Sequence, residues 1–129
     1  MSIAIDHSWP LGVLGFLSDL RPVFHSEADF QHAFALAVRD LDPASRVRLE
    51  VRPDPEVRES LDLLCVVDGV RVAIEFKYLV RSLDTEVGGE RFVLRDQGAQ
   101  PLSRYDIIKD LERLERFCDT GFADVGFAV

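Results

Sequence analysis

Two acids and one of the chain's only two lysines fall on adjoining apolar runs: Asp62 on residues 61–67, and Glu75-Phe76-Lys77 on residues 70–78. The Asp68-Gly69 pair between them is a strong hairpin signal, because a two-residue type I′ turn needs positive φ at both central positions. With Val67 and Val70 flanking the turn, Val66 faces Arg71, Leu64 faces Ala73 and Asp62 faces Glu75. Directly opposed Cβ atoms lie about 4.5–5.5 Å apart, and like charges there are destabilising. A divalent cation relieves that repulsion, and Mg²⁺ sites are built from one or two carboxylates plus waters and phosphate oxygens. Lys77 lies two residues past Glu75 on the same strand face, placed to touch a phosphate or a metal-activated water. The chemistry in outline is metal-assisted hydrolysis. A solvated strand face also alternates polar with apolar residues, but it more naturally sets Arg or Lys opposite Glu75 than a second acid.

The elements that must position these groups are legible in outline. The other face of the hairpin carries Leu61, Leu63, Cys65, Val67, Val70, Val72, Ile74, Phe76 and Tyr78, an apolar set fit for a core. Residues 8–21 read as a helix, with Pro10 in its first turn and Trp9, Val13, Phe16, Leu17 and Leu20 on one face. Ser26-Glu27-Ala28-Asp29 resembles a capping box. It opens a second helix whose buried stripe is Phe30, Phe34, Ala37, Val38 and Leu41, with Glu27 and Gln31 on another flank. Residues 46–52 alternate as a half-buried strand with a basic outer face, closed by Pro53 and Pro55. Residues 82–95 suggest a second hairpin around Gly88-Gly89, pairing Leu83 with Leu94 and Thr85 with Phe92; it is either a flap over the site or an extension of the sheet. A helix from Ser103 carries a stripe of Ile107, Ile108, Leu111, Leu114, Phe117 and Cys118, with Tyr105, Lys109, Glu112 and Arg116 on its other side, and Gly121 ends it. Residues 124–129 read as a buried strand, and a terminus inside such a strand suggests a truncated form.

At 129 residues the chain is long enough for one domain with a real core. No apolar run approaches the roughly 20 residues that span a bilayer, so no membrane partner is expected. The N-terminus lacks the basic region and cleavage site of a secretion signal. With Cys65 and Cys118 outside any zinc-ligand spacing, a reducing, cytoplasmic setting is expected. His7, His25 and His32 are not spaced as a metal cluster and read as surface or structural residues. The net charge of -8 argues against gripping nucleic acid by bulk electrostatics but not against a local metal site. Of the fifteen basic residues thirteen are Arg, a side chain suited to bidentate phosphate contacts.

The order helix, three antiparallel strands, helix, strand, with Asp62 at the start of the second strand and Glu75-Phe76-Lys77 late in the third, resembles the PD-(D/E)XK phosphodiesterase superfamily over residues 26–129. The resemblance implies an α/β class: a restriction-endonuclease-like αβββαβ core with a mixed central sheet flanked by helices. To this the chain adds an N-terminal helical extension (1–25) and an inserted hairpin, all within a single domain. It implies that Asp62, Glu75 and the backbone carbonyl of Phe76 bind Mg²⁺ (or Mn²⁺), that Lys77 positions or activates the attacking water, and that Glu27 supplies a further acid from the first core helix. Leu61 stands where the family often has Pro. Some branches carry Gln-x-x-x-Tyr on the helix after the lysine strand; here Gln100 and Tyr105 are one residue too far apart. Gln31, Gln97, Gln100, Arg104 and Tyr105 are therefore second-rank candidates for substrate contact or support. The implied activity is metal-dependent nuclease action on nucleic acid, DNA foremost, with a homodimer as a further expectation. The alternatives are an inert domain of the same fold serving as a binding module, and an unrelated α+β domain with Asp62 and Glu75 on open convex surface.

Overall fold

A computed structural model of the protein describes residues 5–77, 82–94 and 100–129, with side chains of the last stretch from Ile107 onward. Tyr78 and Gln97 lie outside the described residues, and Gln100, Arg104 and Tyr105 are placed only by the backbone of their helix. The order is α1 (Trp9–Leu20), α2 (Glu27–Leu41), β1 (Arg46–Val51), β2 (Leu61–Val67), β3 (Val70–Glu75), β4 (Leu83–Val87), β5 (Glu90–Leu94), α3 (Gln100–Asp119) and β6 (Val125–Ala128).

Asp68 and Gly69 take φ of 51° and 78°, the left-handed pair that a tight hairpin demands. The register follows from the turn: Val67 pairs Val70, Val66 pairs Arg71, Leu64 pairs Ala73 and Leu63 pairs Ile74. β1 joins the far edge of β2 antiparallel. β6 runs parallel to β3, a pairing that needs a long crossover, here α3. The result is a mixed sheet in the order β1-β2-β3-β6. Helices flank it. Residues of α1 and α2 bury one face over Leu63, Cys65, Val72, Ile74 and Phe76; α3 covers the other through Leu114 and Phe117 against Ala73. The class expected from the sequence, α/β with a mixed sheet flanked by helices, is what the chain adopts.

Ser26 caps α2: its side chain accepts the Asp29 N–H at 3.1 Å. The Asp29 carboxylate does not return to Ser26 but takes Arg21 in a two-point ion pair at 2.8 and 2.7 Å and the His25 N–H at 2.8 Å. The cap sets where the first turn begins, and so where Glu27 stands. Ser26→Ala is expected to cost about 1 kcal/mol, read as a lower thermal midpoint.

Four expectations need correction. Leu20 is 62% exposed, and on α3 Ile108 and Leu111 are 55% and 46% exposed, while Asp110 is buried with Leu114 and Phe117. Leu20 is the last residue of α1, at the helix end; on α3 the reason is the close approach to β6, where a Cβ at Gly126 would meet Leu114 Cβ at 3.1 Å, a contact that sets the helix's rotation. Gly126→Ala should push α3 off the sheet and cost about 1–3 kcal/mol, measurable by denaturant unfolding. Leu61 packs with Ala73, Leu114 and Phe117 rather than with Leu63's cluster. The β4–β5 hairpin pairs as expected, Leu83 with Leu94 and Thr85 with Phe92, but it forms a sheet of its own rather than extending the main one. Phe92 anchors it, stacked on His25 at 4.3 Å, and His25 also bonds Glu90. His25 thus has a structural role.

Candidate active site

Neither ladder of β2 pairs Asp62. The β2–β3 pairing runs only to Leu63↔Ile74, and β1 passes from Leu49↔Leu63 to Val51↔Leu61 around Glu50, whose φ of 52° is left-handed and costs an L-residue about 1–2 kcal/mol. β3 nevertheless continues beside the C-terminal end of the chain. Val129 N–H donates to the Glu75 carbonyl at 2.9 Å, and Lys77 N–H donates to the Val129 carbonyl at 2.8 Å. On the other edge the Phe76 N–H donates to Asp62 Oδ2 at 2.9 Å, a side chain standing in for the missing ladder partner. The Phe76 ring is buried against Phe30 and Phe34 at 5.4 and 5.1 Å. The triplet is therefore clamped from three sides, with Glu75 and Lys77 turned away from the aromatic core.

Glu75 is 3% exposed. Its carboxyl is pushed up to about 8, first by burial, then by its hydrogen bond to the Asp62 carboxyl and the charge there, while Arg113 opposes the shift. Arg113 Nη1 lies 3.2 Å from Glu75 Oε1. Lys77 Nζ lies 3.9 Å from Asp110 Oδ2. Glu27 enters from the first turn of α2, and its carboxyl is also raised: burial dominates and Asp62 adds to it, whereas Lys77 and a hydrogen bond from Gln31 work the other way. These groups line one polar pocket of about 350 Å³, to which Lys109 also contributes.

The structure thus gathers Glu27, Asp62, Glu75, Phe76 and Lys77 in one place, with Gln31 behind Glu27. It does not turn Asp62 and Glu75 to opposite faces of the sheet, nor set them on open surface. Three residues were not anticipated: Lys109, Asp110 and Arg113, all from α3. The available signal was Asp110 itself, spaced at i, i+4 and i+7 with Leu114 and Phe117; a buried stripe that includes an acid needs a partner for it.

The donors on offer are carboxylate oxygens, which suit a hard cation such as Mg²⁺ or Mn²⁺. Burial and the neighbouring Asp62 carboxyl already disfavour the charge on Glu75, a penalty that a divalent ion removes. Among the described residues no three His, Cys, Asp or Glu side chains form a ready-made metal cluster, so Glu27 stands as a wall of the pocket rather than a third ligand already in place. Cys65, its thiol pushed up to about 12 by burial, belongs to the core. Among the described residues no helix is long and apolar enough to cross a membrane. No protein family, curated protein or solved structure matches the chain.

Proposed function

We propose that the protein is a metal-dependent phosphodiesterase of the PD-(D/E)XK type that hydrolyses nucleic acid, DNA foremost. The observation that carries the reading is the Asp62–Glu75 pair: two carboxyls from neighbouring strands, one of them deeply buried, sharing a polar pocket with Glu27 and Lys77. A fold gains nothing from setting a second carboxyl beside a buried one, which supports a place for a cation in addition to Arg113. The element order α2, β1, β2, β3, α3, β6 also agrees with a restriction-endonuclease-like core.

Asp62 and Glu75 would hold Mg²⁺ or Mn²⁺, with the Phe76 carbonyl as a further ligand and Glu27 in support, directly or through water. When bound, the ion supplies Lewis acidity and a water of lowered pKa. Lys77, steadied by Asp110, orients the attacking water toward the phosphorus. Lys109 and Arg113 offset the charge that builds on the phosphoryl oxygens.

A second reading, an inert domain of the same fold, is favoured by one observation: Arg113 already gives Glu75 a counter-charge. Calorimetric titration with Mn²⁺ separates the two. The phosphodiesterase reading expects binding that Asp62→Ala abolishes, together with Mg²⁺- or Mn²⁺-dependent cleavage in a panel of labelled single- and double-stranded DNA and RNA. No binding and no cleavage would leave the inert module standing.

A further inference from the structure

α3 carries a polar stripe at i, i+4 and i+7, Lys109, Arg113 and Arg116, neighbours on one helix face, and Thr120 in the turn just past the helix end extends it. Its first two members line the acidic pocket. Arg116 and Thr120 line a second and larger pocket of about 570 Å³, between the C-terminal half of α3 and the β1–β2 loop. The second pocket has apolar walls: Pro53, Pro55 and Val57 on the loop side and, on the other, the partly exposed Phe122 backed by the buried Phe117, the two rings T-shaped at 6.0 Å. Its volume falls in the roughly 300–1,000 Å³ range of small-ligand sites.

The walls are braced from outside. Arg71 pairs with Asp124 at 2.9 Å and donates to the Gly121 carbonyl at 2.6 Å, which pins the turn after α3. Arg52 donates to the carbonyls of Pro55 and Val57 at 2.8 and 3.0 Å, which holds the loop. Arg116 bonds Glu59 at 2.9 Å across the mouth. That pair is exposed and so worth about 0–1 kcal/mol, and a guanidinium has further N–H donors to give to a phosphate.

We propose that this pocket receives a nucleobase next to the phosphodiester held at the acidic site, so that the substrate is a single strand or a locally unpaired one. The inference rests on the phosphodiesterase reading and narrows its substrate class. Six residues of helix run on from Arg113 to Asp119, the last of α3, about 9 Å at 1.5 Å per residue, and Thr120 follows directly. A strand lying along the Lys109–Arg113–Arg116 stripe reaches both pockets. Basic tracks that lead to aromatic walls are how single strands are held, each stacked base contributing about 1–3 kcal/mol. In an intact duplex the base is stacked and paired and cannot enter. With a net charge of -8, binding has to come from discrete contacts of this kind. The Glu59 and Asp54 carboxylates at the rim suit the exocyclic amines of a base.

The test titrates ¹⁵N-labelled protein with adenosine 5′-monophosphate and measures anisotropy of a labelled single-stranded DNA decamer, and of its duplex, in EDTA. Val57, 42% exposed, is the substitution site because changes there spare the core. The nucleotide should shift the amides of Asp54, Val57, Thr120, Gly121 and Phe122. Val57→Glu should weaken decamer binding by about five- to a hundredfold, Val57→Phe should preserve or tighten it, and the duplex should bind more weakly than the decamer. Unmoved pocket amides, a Val57→Glu protein that binds like the parent, or equal binding of duplex and single strand would each overturn the proposal. If the parent cleaves single strands with Mg²⁺ and Val57→Glu leaves KM unchanged, the base pocket falls and the phosphodiesterase stands. If the pocket amides shift but nothing is cleaved with either metal, the pocket stands and the phosphodiesterase falls.

Discussion

On the phosphodiesterase reading, Lys77→Ala should lower metal-dependent phosphodiester cleavage by about 10²–10⁴-fold, the span over which a positioned proton-transfer group acts, and Glu75→Ala should take it below detection. Lys77 is half-exposed and its ammonium lies 3.9 Å from Asp110, so truncation removes one weak ion pair and no core contact. Stability should change by about 1 kcal/mol or less. Glu75→Ala removes the buried acid that Asp62 and Arg113 face, and the fold is expected to tolerate it because the Phe76 N–H to Asp62 bond and the β6 pairing remain. The checks are initial rates on labelled oligonucleotides with Mg²⁺ and Mn²⁺, beside circular dichroism and thermal midpoints. Full activity in Lys77→Ala sinks the assignment of roles. Asp110→Asn, which loosens Lys77 without removing it, should fall between parent and Lys77→Ala, with kcat affected more than KM.

The second large effect is on stability against pH. The Glu75 carboxyl rises from an ordinary value of 4.5 to about 8 on folding, so between those values the folded chain holds a proton that the unfolded chain has released. Stability must therefore fall as pH rises through that window. Below about 4.5 both states are protonated and the site costs nothing; above about 8 the folded protein carries a buried charge that Arg113 offsets only in part. Each pKa unit is worth about 1.4 kcal/mol, so this buried site alone contributes a loss of a few kcal/mol, several degrees of thermal midpoint for a domain of this size. Glu75→Gln, neutral at all pH, should lose that share of the slope and be more stable than the parent at pH 8.5. Millimolar Mg²⁺ or Mn²⁺ should restore the parent at pH 8.5 and do little for Glu75→Gln, because only the parent offers two carboxylates to the ion. Thermal melts of both proteins at pH 5 and pH 8.5, with and without metal, read this directly. Parallel slopes for the two proteins would refute the raised Glu75 carboxyl.

Local rules were enough for the hairpin and the second helix. Asp68-Gly69 dictated the turn and the turn dictated the register as far as Leu63↔Ile74, which carried Asp62 and Glu75 to the same end of the hairpin; the expected ladder pair of Asp62 with Glu75 is not formed, because the Asp62 side chain takes the Phe76 N–H in its place. Ser26 capped α2 by a local rule as well, which placed Glu27. Gly88-Gly89 likewise carried the pairing of the second hairpin, though not its detachment from the main sheet, which depends on Phe92 docking against His25.

The contribution of α3 was decided in three dimensions. Periodicity alone allowed Ile108 and Leu111 to face the core, but the contact of Leu114 with Gly126 turned the helix so that Asp110 went inward and Arg113 reached Glu75. That contact joins residues from distant parts of the chain, and no spacing rule encodes it. The same rotation aligned Lys109, Arg113 and Arg116 between the two pockets. The left-handed Glu50, which interrupts the ladder opposite Asp62, also carries no glycine to announce it. What the sequence by itself determined is which acids meet across the strands, because strand pairing is geometry between chain neighbours. Which cations and which cavity surround them was settled only when α3 packed against β6, because helix rotation is set by side-chain volumes on both surfaces at once.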